Sequence, residues 1–132
     1  MAKPFKLSEA KQLGLPGRRV LEIVSGERGS RNVTLRLAEI PVAHPGETAR
    51  APHHHSEFEE CIYVLSGEGT TFADSGEYAL KPGDTLLMPA GEKHVTRNTG
   101  NQPLLLLCFF PVGDIRSGTY EPGISGAPTK KS

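Results

Sequence analysis

The stretch that decides the fold begins His53-His54-His55-Ser56-Glu57-Phe58-Glu59-Glu60, continues through Cys61-Ile62-Tyr63-Val64-Leu65-Ser66 and stops at Gly67. Three of the chain's five histidines stand in its first three positions. A fourth, His94, lies in Gly83-Asp84-Thr85-Leu86-Leu87-Met88-Pro89-Ala90-Gly91-Glu92-Lys93-His94-Val95-Thr96-Arg97-Asn98, and only His44 stands apart. Neutral imidazole suits borderline divalent ions, and a carboxylate beside it compensates their charge. On an extended strand His53 and His55 point to one face and His54 to the other. The triplet therefore offers two ligands rather than three, with Glu59 and Glu60 close behind. His54 and His44 are read as solvent-facing residues.

Outward from these stretches, 15 Gly and 11 Pro punctuate the sequence. Turn signals separate short β-rich segments at 19–24, 33–40, 60–65, 70–73, 78–80, 85–88, 94–98 and 104–110, a pattern that predicts an all-β sandwich or barrel. Helical periodicity is weak, and only residues 8–13 are expected to make a helical turn, with Ser8 as its N-cap. Residues 33–37 alternate apolar and polar, as a strand with one buried face should. Residues 104–110 are apolar throughout and are expected to lie between two covered faces. From residue 123 to 132 the composition turns to Gly, Ser, Ala, Pro and Lys, which reads as a frayed tail behind a single domain of residues 1–122.

The 132 residues carry 15 Lys+Arg against 15 Asp+Glu, so the net charge is zero. That balance gives no electrostatic case for nucleic acid or an anionic membrane. The longest apolar run, 104–110, is far short of the roughly 20 residues that span a bilayer. The first residues lack the apolar stretch of a secretory signal, and Cys61 and Cys108 sit in apolar strand-like segments. The expectation is a cytoplasmic protein with two buried free thiols.

The two histidine-bearing stretches resemble the motifs of the cupins. The first cupin motif pairs His-x-His with a Glu and a following Gly, matched by His53, His55, Glu60 and Gly67. The second, Gly-x5-Pro-x-Gly-x2-His-x3-Asn, is matched by Gly83, Pro89, Gly91, His94 and Asn98. Together they arise by chance on the order of once in ten million from residue frequencies like these. One departure is that six residues rather than five separate Gly46 from His53, read as a one-residue loop insertion. The resemblance covers about residues 30–112 and implies a cupin-type double-stranded β-helix, a jelly-roll barrel preceded by an N-terminal strand arm.

The resemblance also implies one divalent transition metal ion per chain (Fe, Mn, Ni, Cu or Zn), held by His53, His55, Glu60 and His94. Glu59 is the competing carboxylate, and the six-residue interval to Gly67 favours Glu60. An octahedral ion on three histidines and one glutamate keeps two positions for a bidentate oxygen substrate, or for a substrate and dioxygen. The function so implied is a metal-dependent enzyme, a dioxygenase by preference, acting on a small oxygen-rich or carboxylated metabolite. Non-redox lyase, isomerase or decarboxylase chemistry is the alternative, and a non-catalytic metabolite-binding module a second. The candidate catalytic residue is Tyr120, folding back over the barrel mouth. Candidate substrate contacts are Arg36, Ile62, Met88 and Phe110. Ile62 holds the slot where the cupin lyases of dimethylsulfoniopropionate place a tyrosine base, which counts against that activity. Related cupins pair by laying N-terminal strands across a partner's sheet, so a homodimer is expected.

Overall fold

The computed structural model describes residues 1–122, and the tail expected over 123–132 lies outside them. Eleven strands run in chain order: β1 (Lys11–Leu13), β2 (Arg19–Val24), β3 (Thr34–Ile40), β4 (His54–His55), β5 (Glu60–Ser66), β6 (Gly69–Ala73), β7 (Gly76–Leu80), β8 (Thr85–Met88), β9 (His94–Asn98), β10 (Leu104–Phe110) and β11 (Thr119–Tyr120). The fold is all-β, with only three short 3-10 turns as helical structure among the described residues. None of these is long and apolar enough to cross a membrane.

One sheet has the order β1-β2-β3-β10-β5-β8 and a second β7-β6-β9, while β11 pairs with β4. All pairings are antiparallel, from Leu104↔Ile40 to Phe110↔Thr34 between β10 and β3 and from Gly69↔Asn98 to Ala73↔His94 between β6 and β9. A bridge between His53 and His94 ties the first motif to the second. The motif's Asn98 clamps strand ends, donating to the Ile40 and Gln102 carbonyls at 3.0 and 2.8 Å and accepting from Gly100 N. Gly67 turns the chain with φ +83°, and a Cβ there would collide with the Pro103 carbonyl, so both conformation and space demand glycine.

The N-terminal turn is shorter than expected. Only Leu7–Glu9 forms a 3-10 turn, without a side-chain cap, and Lys11–Leu13 instead extends along β2. Edge pairing satisfies the backbone groups that a lone helical turn leaves open.

The alternation along β3 is inverted. Thr34, Arg36 and Ala38 turn inward, with Arg36 and Ala38 lining the barrel cavity, while Leu35 and Leu37 face out. Polar groups are stable inside because they are paired: Thr34 donates to the Val112 carbonyl at 2.7 Å and Arg36 bonds Glu22. β10 also differs from expectation. Leu104, Leu106, Cys108 and Phe110 are buried, yet Phe109 on the opposite face is exposed. Tyr63, Leu65 and Leu87 on β5 and β8 are exposed too, so the outer face of the large sheet carries an apolar patch.

Candidate metal centre

Strand alternation and the His53–His94 bridge do most of the positioning. His53 exchanges backbone hydrogen bonds of 2.9 and 2.8 Å with His94, which fixes the two segments opposite each other. Glu60 opens β5 on its inward face and His94 opens β9. Potential ligand atoms of His53, His55, Glu60 and His94 all lie within 4.8 Å of one another. Glu59 is exposed and apart from them, as strand alternation requires of Glu60's neighbour.

The hydrogen-bond network assigns the imidazole tautomers. His94 Nδ1 lies 2.9 Å from the Glu92 carbonyl, which can only accept, so Nδ1 carries the proton. Thr119 donates its hydroxyl to the Ile115 carbonyl and so accepts from His55 Nδ1 at 2.8 Å. Both rings therefore turn Nε2 lone pairs toward Glu60 Oε1, at 3.2 Å from His55 and 3.3 Å from His94. Lone pairs set against a carboxylate at that range repel unless a cation or a proton stands between them. His53 adds a buried Nδ1 with no hydrogen-bond partner. Three imidazoles and one carboxylate so arranged fit a borderline divalent ion, with Thr119 and the Glu92 carbonyl orienting the rings.

The electrostatics agree with a ligand set. Burial, then His94 and His55, hold His53 well below the ordinary imidazole range, so it is neutral as a ligand must be. Burial alone would raise Glu60, but hydrogen bonding and charge from His55 and His94, whose Nε2 atoms can take up a proton when no ion is bound, outweigh it and hold the carboxyl far below the usual range. Burial lowers His94 while the bond to Glu60 raises it more, and the net direction is upward. Glu60 thus attracts a proton to His94 when no ion is bound.

The four candidate ligands open on a cavity of about 680 Å³. Arg36, Ile62 and Phe110 line it, with Arg36 bonded to Glu22 through Nε and Nη2 at 2.9 and 2.8 Å. Met88 is buried and pairs with Glu60 across the strands, but it is not among the lining residues. The expectation for Tyr120 requires correction. On β11 Thr119 turns inward, so Tyr120 turns out, where its ring stacks on His54 at 4.9 Å. Tyr120 does not reach the cavity, and His54 is its neighbour rather than a plain surface residue.

Sequence reasoning missed several lining residues. Thr119 and Glu121 arrive from the chain's far end, and Arg18 and Arg50 from before the first motif. Arg18 bonds Glu121 bidentately at 2.9 and 3.0 Å. Burial and then Arg18 push Arg50 down to about 10, which leaves it cationic at neutral pH. Cys108 is more than a small apolar filler: burial, then the charge and hydrogen bond of Glu60, push its thiol up, so it stays protonated beside that carboxylate. No local pattern marks these residues, because the role of each depends on which distant residues the barrel sets beside it.

An all-β barrel with three histidines and a glutamate converging on its cavity defines a candidate metal-binding protein of the small barrel class. Residues 42–110, just over half the chain, match the family described as the Cupin domain, Cupin_2, and the chain belongs to that family. It is 35% identical over 68 residues to an uncharacterized protein of Aquifex aeolicus (52% of this chain, 56% of that one). It is 39% identical over 56 residues to one of Methanocaldococcus jannaschii (42% and 45%). The chain spans about half the length of the curated relatives it matches. Among solved structures, the oxalate decarboxylase of Lactobacillus farciminis superposes with TM-score 0.73 at 18% identity, covering 87% of this chain and 34% of that one. The polyketide cyclase RemF of Streptomyces resistomycificus gives 0.68 at 22%, covering 95% and 88%. A putative sugar phosphate isomerase of Acidithiobacillus ferrooxidans gives 0.59 at 28%, covering 77% and 67%.

Proposed function

We propose that this cupin is a metal-dependent enzyme that takes a small carboxylated or oxygen-rich metabolite, and that its reaction is a dioxygenation. A redox-active ion held by His53, His55, Glu60 and His94 would supply the site for substrate and dioxygen together. The observation that carries the choice is the state of the cavity's carboxylates. Glu22 is bonded to Arg36, Glu121 to Arg18, Glu27 to Lys11, and Asp114 to Ser117 and the Arg116 amide. No tyrosine lines the cavity among the described residues, and the Cys108 thiol is held protonated. Lyase or isomerase chemistry asks for a proton-transfer side chain next to the substrate, whereas dioxygenation draws its reactivity from the ion and oxygen. Ile62, Leu106 and Phe110 give the substrate an apolar wall, and Thr119 keeps His55 in its ligating tautomer.

Elemental analysis of the untagged protein beside His94→Ala, followed by oxygen uptake, tests this reading. The expected result is near-stoichiometric iron that the variant loses, with turnover that stops without oxygen. Turnover that persists anaerobically, or a site filled by zinc or manganese alone, would move the assignment to non-redox chemistry. The decarboxylase, cyclase and isomerase among the similar structures support that second reading. A homodimer is part of the proposal. Exposed Tyr63, Leu65, Leu87 and Phe109 lie together on the outer face of the large sheet, a surface that a second copy would cover. Sedimentation showing only a 14.2 kDa species at micromolar concentration would overturn it.

A further inference from the structure

We propose that Arg50 is the docking group for a carboxylate of the substrate, so that the ligand is an anion that also carries an oxygen for the ion. This rests on the reading of the cavity as a metal-bearing substrate site. Arg18, Arg36 and Arg50 all line that cavity, yet their hydrogen-bonding states differ. Arg18 spends Nη1 and Nη2 on Glu121 and also reaches the Pro16 carbonyl. Arg36 spends Nε and Nη2 on Glu22. Arg50 Nη1 is buried with no hydrogen-bond partner. Glu121 Oε2 is 3.9 Å from that nitrogen, beyond hydrogen-bond distance, and Arg18 already holds it.

An unsatisfied buried donor on a charged group carries a substantial cost, and a carboxylate completes it with a charge-assisted bond. Arg50 is also held in place. Its carbonyl accepts from Arg97 Nη2 at 3.1 Å, and His53 follows it by three residues. It lies close enough to the ligand set for its charge to act on His53 and His94 and to feel Glu60. The charges point the same way. Arg18 is matched by Glu121 and Arg36 by Glu22, while Glu60 is committed to the histidines and their ion. Arg50 and Arg18 thus share the single charge of Glu121, which Arg18 alone hydrogen-bonds, so one positive charge is left in surplus and a ligand carboxylate matches it.

The test is calorimetric titration of the zinc-loaded full chain with acetate, malonate and succinate, against malonamide and succinamide as neutral counterparts. Zinc content is measured in parallel. At least one carboxylate should bind more tightly than its neutral counterpart. Arg50→Met should weaken that binding about 10- to 100-fold with zinc stoichiometry unchanged, and Arg50→Lys should fall between. Carboxylates that bind no better than the amides, or an Arg50→Met affinity within twofold of wild type, would overturn the assignment. If Arg50→Met does not fold, Arg50→Lys decides, with a threefold or greater loss in support and equal affinity against. If the wild-type chain takes up no zinc, the metal-site reading fails, and the same titrations on metal-free protein decide the role of Arg50 separately.

Discussion

Thr119→Val probes the candidate metal centre without touching any of its four candidate ligands. The valine keeps the threonine's shape but removes the hydroxyl that accepts from His55 Nδ1 at 2.8 Å and donates to the Ile115 carbonyl. Two buried groups then lose their partner, which costs about 1–3 kcal/mol in the metal-free protein. For a domain of this size that is a Tm drop of roughly 4 °C per kcal/mol. The larger effect falls on metal binding. With no acceptor fixing the Nδ1–H tautomer, the ring gains a second tautomer and orientation in which Nε2 is no longer a ligand. Loss of such an outer partner weakens metal affinity about 10- to 100-fold. Competition with a chromophoric chelator measures zinc affinity for wild type, Thr119→Val and Thr119→Ser. The serine variant keeps the hydroxyl and should recover most of the affinity. A valine variant that binds zinc within twofold of wild type would refute the assigned tautomer, and with it the orientation of His55 toward Glu60.

Glu60→Ala should abolish most metal uptake while Glu59→Ala leaves it near wild type, because Glu59 is exposed and outside the cluster; elemental analysis of both variants decides. Glu121→Ala should destabilise the chain by about 3 kcal/mol in chemical denaturation, since it strands the buried Arg18 beside Arg50. The His94–Glu60 contact predicts a pH signature in metal-free protein. The raised His94 contributes stability that is complete below the unfolded value of 6.5 and is lost as pH rises through its folded value. The depressed Glu60 contributes stability complete above 4.5, lost as pH falls toward its folded value. Wild type should therefore exceed His94→Ala in stability most between pH 4.5 and 6.5, with the gap narrowing toward pH 8; a gap that widens with alkaline pH would contradict the pairing.

What the sequence discloses is what covalent spacing controls. His53 and His55 share a face because strand residues alternate, and the Glu60-to-Gly67 interval is one strand long and ends at a turn only glycine fits. The strand ends 85–88, 94–98 and 104–110 follow directly from flanking turn residues. Residues whose roles depend on long-range pairing are illegible by the same logic. Nothing around Thr119 announces that β11 will lie against β4, and the neighbouring Tyr120 looks chemically better equipped until alternation turns it outward. Arg50 is likewise silent in sequence, because what distinguishes it from Arg18 and Arg36 is that each of those has a glutamate and it has none within hydrogen-bond distance.

The inverted β3 connects these observations. A half-buried strand ordinarily turns its apolar side to the core, but here Arg36 and Thr34 face inward while Leu35 and Leu37 face out. Two conditions favour the reversal. The inner polar groups must be paired, as Arg36 is with Glu22 and Thr34 with Val112, because unpaired they would each cost a kilocalorie or more per mole, on the order of the desolvation penalty. The outer apolar groups would be covered in the proposed homodimer, because exposed Tyr63, Leu65, Leu87 and Phe109 continue the same face across β10, β5 and β8. A cavity large enough for a metabolite thus displaces part of the hydrophobic core to the outside of the sheet. In the proposed homodimer, site and assembly would be coupled through the same strands. An outer-face substitution such as Phe109→Lys should shift the chain to monomer in sedimentation and lower its stability at once, whereas a cavity substitution such as Arg50→Met should leave the oligomer intact. Should Phe109→Lys leave both the sedimentation profile and the melting temperature unchanged, the outer face would have no partner and the coupling would fall.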